Sequence, residues 1–101
     1  MKTTVYLSGP MTGIPAFNRP LFHEVAERLR RLGFAVINPA KFFGDDVSLP
    51  WSTYMRASVE ALLRADLVAT LPDWQNSRGA KLEVAVAEAL GIPVTDFNSI
   101  A

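Results

Sequence analysis

Cysteine is absent from this chain, which excludes disulfides, thiolate nucleophiles and cysteine-ligated metals at once. Histidine occurs once, as His23, so no histidine cluster exists for a transition metal, and no metal site is expected. An excess of either charge is missing too: 10 Lys and Arg balance 10 Asp and Glu, giving a formal net charge of zero. Nucleic-acid polymers are normally met by a basic face, so they are not expected as partners. The densest basic run, Arg28, Arg30 and Arg31, falls on the outer side of a predicted helix and is expected to be solvated. Long apolar runs are also lacking. None approaches the roughly 20 residues of a membrane-spanning helix, and the short N-terminal run meets Gly9-Pro10 before it can form a secretion signal. A cytoplasmic protein without membrane association is expected.

What is present is ordinary globular composition, with 50% hydrophobic and 20% charged residues over 101 positions, enough for a single domain spanning 1–101. Residues 4–7 and 34–37 are short β-rich runs, ended by Ser8-Gly9-Pro10 and Asn38-Pro39. Between them Phe22, Val25, Ala26, Leu29 and Leu32 recur at helical spacing, with Asn18 as the expected N-cap and Gly33 as the stop. Trp51, Met55, Val59 and Leu62 mark a second helix, 67–71 a third strand, 80–90 a third helix closed by Gly91, and 92–97 a last strand. This alternation predicts an α/β three-layer sandwich, Rossmann-like or flavodoxin-like, with about four parallel strands in the order 2-1-3-4 and three helices. Ligands of such sheets bind beyond the carboxyl ends of the strands where the strand order reverses. Here that switch point lies between the first and third strands, at loops 8–17 and 72–79.

Glu83 stands out against this frame. At about 100° per residue, Leu82, Val86, Ala89 and Leu90 define an apolar face of the third helix, and Glu83 falls at its edge. An unpaired buried carboxylate costs several kcal/mol, so it must be paired, raised in pKa or aimed at a cavity. The loop Ser8-Gly9-Pro10-Met11-Thr12-Gly13 and the residues Ser77 and Gly79 ahead of the helix both offer small side chains and free N–H groups that suit an anion. Two such loops at one edge favour a phosphorylated or carboxylated small ligand. Trp74, Phe17, Phe42 and Phe43 are candidates for base stacking or for an interface. Trp51 is expected mainly to pack, His23 to lie on the surface, and Arg78 either to neutralise phosphate or to be solvated.

The run from Tyr6 to Gly13, then Ala65-Asp66-Leu67-Val68, then Ser77-Arg78-Gly79-Ala80-Lys81-Leu82-Glu83 with Ala87 and Leu90-Gly91, resembles the nucleoside 2-deoxyribosyltransferase superfamily. That group includes nucleotide N-glycosidases and small phage-type and bacterial members without an assigned activity. The resemblance implies that Glu83 is a nucleophile attacking C1′ of the sugar, with water or a second base resolving the glycosyl ester. It places Tyr6, Ser8, Gly9, Gly13, Ser77 and Gly79 in the substrate cradle, and Ser77 matches a phosphate-binding serine, implying a 5′-monophosphate. It calls for no cofactor, and it implies a homodimer or higher homo-oligomer, for which segment 41–51 is the expected contact. One position departs from the pattern. Active members carry a second catalytic acid where this chain has Ser58, and a serine protonates a leaving base poorly. Asp73 ranks first as a replacement acid, ahead of Asp45 and Asp46, while Asp66 is assigned a structural role. The alternative to an enzyme is a nucleotide-binding or sensing module that has lost catalysis.

Overall fold

A computed structural model describes residues 2–42 and 48–101; Phe43, Asp45 and Asp46 lie outside them. Four strands, β1 (Thr4–Ser8), β2 (Ala35–Ile37), β3 (Leu67–Thr70) and β4 (Val94–Asp96), alternate with three helices, α1 (Arg19–Arg31), α2 (Trp51–Leu62) and α3 (Arg78–Ala89). All pairings are parallel and the order is β2-β1-β3-β4, the predicted arrangement. Tyr6 aligns with Ile37 on one side and Val68 on the other, so β1 is buried between two neighbours.

Alternation along β1 divides the core. Val5 and Leu7 point into a cluster with Phe22, Val25, Ala26 and Leu29 of α1. Tyr6 points the other way, into a cluster with Ala61 and Leu62 of α2 and Ala87 of α3. Because side chains along a strand alternate with period 2, Ser8 shares the face of Tyr6. Two successive inward positions of the central strand therefore face α2 and α3.

Gly33 ends α1 with φ of 98°, a conformation glycine adopts without penalty. Asn18 occupies the cap position of α1, but its side chain does not cap it. Its φ is 60°, and its amide donates instead to the Pro10 carbonyl oxygen at 2.9 Å, tying the first loop to the start of the helix. Asp66 does the expected structural work by accepting from the Thr4 backbone N–H at 2.9 Å. His23 is exposed, as predicted, and its Nδ1 lies 3.0 Å from the Asn38 amide nitrogen. Among the described residues no helix is long and apolar enough to cross a membrane.

The rotation of α3 differs from the reading of its sequence. The buried positions are Ala80, Glu83, Val84 and Ala87, whereas Leu82 and Leu90 are exposed. Helix α3 turns its small residues inward because α2 lies very close: a Cβ added at Gly79 would sit 3.1 Å from Met55 Sδ. Glu83 thus occupies the middle of the buried face rather than its edge.

Candidate active site

Glu83 is 5% exposed, and both its carboxylate oxygens are held by β1. The Tyr6 hydroxyl donates to Oε2, and the Ser8 hydroxyl donates to Oε1 at 2.8 Å. Ser58 on α2 is buried beside the same Tyr6 hydroxyl and favours its ionised form, so Ser58, Tyr6, Glu83 and Ser8 cluster across three elements, with the hydrogen bonds running from Tyr6 and Ser8 to Glu83. No buried side-chain polar atom of the described residues lacks a partner.

Burial dominates the electrostatics of this network. It raises the Glu83 carboxyl from its ordinary 4.5 to about 7, against the opposing effect of the hydrogen bonds from Tyr6 and Ser8. The Tyr6 phenol is pushed well above its ordinary value by burial first, then by the charge of Glu83 and by its hydrogen bond to that carboxylate; the Ser58 contact pulls it down. Tyr6 is therefore a permanent donor, and Glu83 takes up or releases a proton near neutrality.

The Glu83 carboxylate faces a cavity of ≈ 250 Å³ walled by Met11, Phe17, Pro39, Trp51, Met55 and Ala80, with Ser58, Ser77 and Gly79 also on its lining. Apolar walls with a few convergent polar groups are the usual character of a small-molecule site. The cavity adjoins an outer groove that shares Thr12, Trp51, Ser77 and Gly79 with it and adds Asp73, Asn76 and Arg78.

Each wall has a local origin. Trp51, Tyr54, Met55 and Ser58 follow i, i+3, i+4, i+7 spacing, which puts them on one stripe of α2. Tyr54 was not among the predicted site residues, although the same periodicity identifies it. Phe17 is held by a left-handed turn in which Ala16, Phe17 and Asn18 all have positive φ. Ser77 caps α3 by accepting from the Ala80 N–H at 3.1 Å.

Several expected roles change. Tyr6, read as a substrate contact, is fully buried and binds Glu83 instead. Gly9 lines the cavity, but its missing side chain answers to packing: a Cβ there would lie 2.7 Å from Leu71 Cβ, where β1 and β3 separate. Gly79 meets α2 less tightly: a Cβ there would lie 3.1 Å from the flexible Met55 Sδ. Gly13 adopts φ of 82° at a turn and lines neither the cavity nor the groove. Asp73 is exposed with φ of 66°; it lines the outer groove and not the cavity floored by Glu83, so it stands apart from that carboxylate. Trp74 lines neither space, and Phe42 packs onto the core cluster around Tyr6. Among the described residues no group of three or more His, Asp or Glu is placed to hold a metal ion.

A four-stranded parallel sheet in this order, with its polar network at the switch point, defines a small Rossmann-like α/β domain. Residues 3–96 match the family described as Domain of unknown function (DUF4406), and the chain belongs to that family. The crystal structure of a conserved protein from Enterococcus faecalis V583 is similar, with a TM-score of 0.75 and 28% sequence identity over 93% of this chain. This chain spans 62% of the length of that protein. Among curated proteins no match is found.

Proposed function

We propose that the protein cleaves or transfers the N-glycosidic bond of a nucleotide or nucleoside, with a nucleoside 5′-monophosphate as its preferred substrate and Glu83 as nucleophile. The observation that carries this reading is the Glu83 carboxylate itself, held on both oxygens at the floor of an apolar cavity and ionising near neutrality. A carboxylate oxygen attacks C1′, the C1′–N bond breaks as the base leaves with the bonding pair and takes a proton from solvent water, and a glycosyl ester remains. Water then returns the sugar with a hydroxyl on C1′, or a second base takes its place. Ser8 and Tyr6 fix the carboxylate in one orientation, which removes the entropy of searching for a reactive one. The likeness to nucleoside 2-deoxyribosyltransferases supports the same assignment.

A second reading, a binding or sensing module without turnover, is favoured by one observation. Among the described residues, Glu83 is the only carboxylate on the cavity lining, and Ser58, a serine where the resemblance calls for an acid, lies on the same lining. Incubation with a panel of nucleosides and 5′-monophosphates, followed by chromatography of free bases, separates the two. Base release that disappears in Glu83→Gln supports the enzyme. Tight binding without release, together with release gained by Ser58→Asp, supports the module.

Self-association belongs to the same proposal. Exposed Leu82 on α3 and Leu90 just past its end suit a homodimer or higher homo-oligomer. Light scattering coupled to gel filtration should then give a mass above one chain.

A further inference from the structure

The guanidinium of Arg78 lies 3.8 Å from the centre of the Trp51 ring, well inside the range of a cation–π contact. This contact ties the first turn of α3 to the first turn of α2. Trp51 lines both the inner cavity and the outer groove, whereas Arg78 lines the groove alone. The arginine is therefore parked on the wall between the two spaces, beside Ser77 and Gly79, which also border both.

Two further facts bear on its charge. The ion pair found among the described residues joins Arg31 to Glu27 at 3.4 Å, and no carboxylate of those residues reaches Arg78. Asp73 lines the same groove without pairing to it. A stacked arginine keeps its N–H edge open to a second partner, and its planar fork suits the paired oxygens of a phosphate monoester. Arg78 is thus a preorganised cation in the groove that adjoins the cavity floored by Glu83.

We propose that Arg78, positioned by its stack on Trp51, is the residue that selects a phosphorylated over an unphosphorylated ligand. The inference rests on the reading of Glu83 as the group facing the sugar. A ligand with its sugar at Glu83 would extend past Trp51 and present its 5′-substituent to the groove that Arg78 lines. A phosphate there meets the guanidinium; a free hydroxyl leaves that cation in water. Trp51 acts through Arg78, as a positioning residue.

The test compares the common 2′-deoxynucleoside 5′-monophosphates with the matching nucleosides, by kcat/KM for base release and by calorimetric binding to the Glu83→Gln protein. Arg78→Gln should lower the monophosphate-to-nucleoside ratio about ten- to a hundredfold, the scale of one charge-assisted hydrogen bond. Arg78→Lys should recover only part of it, since a lysine keeps the charge and loses the fork. Trp51→Phe should preserve more of the ratio than Trp51→Leu while the two variants bind the unphosphorylated nucleoside alike; a general loss of packing would weaken both ligands together and leave the ratio unmoved. Asp73→Asn should raise the ratio severalfold by removing a competing negative charge. A ratio unmoved by Arg78→Gln in the binding measurement overturns the proposal. Absence of base release from every compound overturns the glycosidase reading instead, and the binding ratio still decides the role of Arg78.

Discussion

Ser8 and Glu83 lie 75 positions apart in the chain and meet at 2.8 Å, joining the carboxyl end of the central strand to the middle of the last helix. The contact exists only when β1 is in place between its neighbours and α3 has docked on the sheet. Forming the site and completing the fold are the same event, so the chemistry of Glu83 is also a term in stability.

That link has a sign. The folded-state pKa of Glu83 is raised, to about 7 from 4.5, so the native state holds a proton that the unfolded chain has already lost between those values. The Glu83 contribution to stability is fully present below about 4.5 and is lost as the pH rises through about 7, a difference of about 3 kcal/mol. Urea unfolding of the wild type and of Glu83→Gln from pH 5 to pH 8 should show the gap between them shifting in favour of the glutamine variant as the pH rises. Parallel curves would contradict this.

If Glu83 is the nucleophile, its ionised form does the work, and base release should rise through about pH 7. Tyr6→Phe removes a donor that holds the Glu83 carboxyl down, so the rise should move to higher pH. The same change leaves a buried carboxylate oxygen short of a partner and should cost about 1–3 kcal/mol. Titration of Glu83 by carbon NMR reads the first effect, and thermal unfolding the second.

Ala16 sits at φ of 55° in the turn that presents Phe17 to the cavity. A left-handed conformation costs a residue with a Cβ about 1–2 kcal/mol, and glycine escapes most of that while giving up some unfolded-state entropy. Ala16→Gly should therefore stabilise the protein by up to about 1 kcal/mol in denaturant melts. A loss of stability would show that the turn is not the strained element.

Much of this architecture is legible in the residues. Short β-rich runs ended by Pro or Gly and separated by helical periodicities lead to the strand order, and the strand order leads to the switch point where Glu83 stands. The rotation of α3 was not legible. Leu82, Val86 and Leu90 are the larger apolar residues, and hydrophobicity alone turns them inward; the close approach of α2 selects Gly79, Ala80 and Ala87 instead, a constraint set by distance between elements. The role of Tyr6 is hidden in the sequence for a related reason. Only strand alternation combined with the position of α3 shows that it faces Glu83 rather than a ligand. Asp73 lay on the correct edge, but its left-handed backbone turn holds it in the outer groove.

The seam between Gly9 and Leu71 restricts how this site can change over generations. Leu71 is fully buried in the cluster on the α1 side of the sheet, away from the ligand space, yet its Cβ excludes any side chain at position 9. The two positions should be only partly epistatic: Gly9→Ala alone crowds the strand ends, Leu71→Ala alone leaves a void, and the pair together relieves the 3.2 Å contacts of Leu71 Cγ and Cδ1 but keeps the 2.7 Å contact of its Cβ. A lineage that puts a side chain at the root of the first loop must therefore also move the backbone at Leu71, just past the end of β3, whose side chain lies on the opposite face of the sheet.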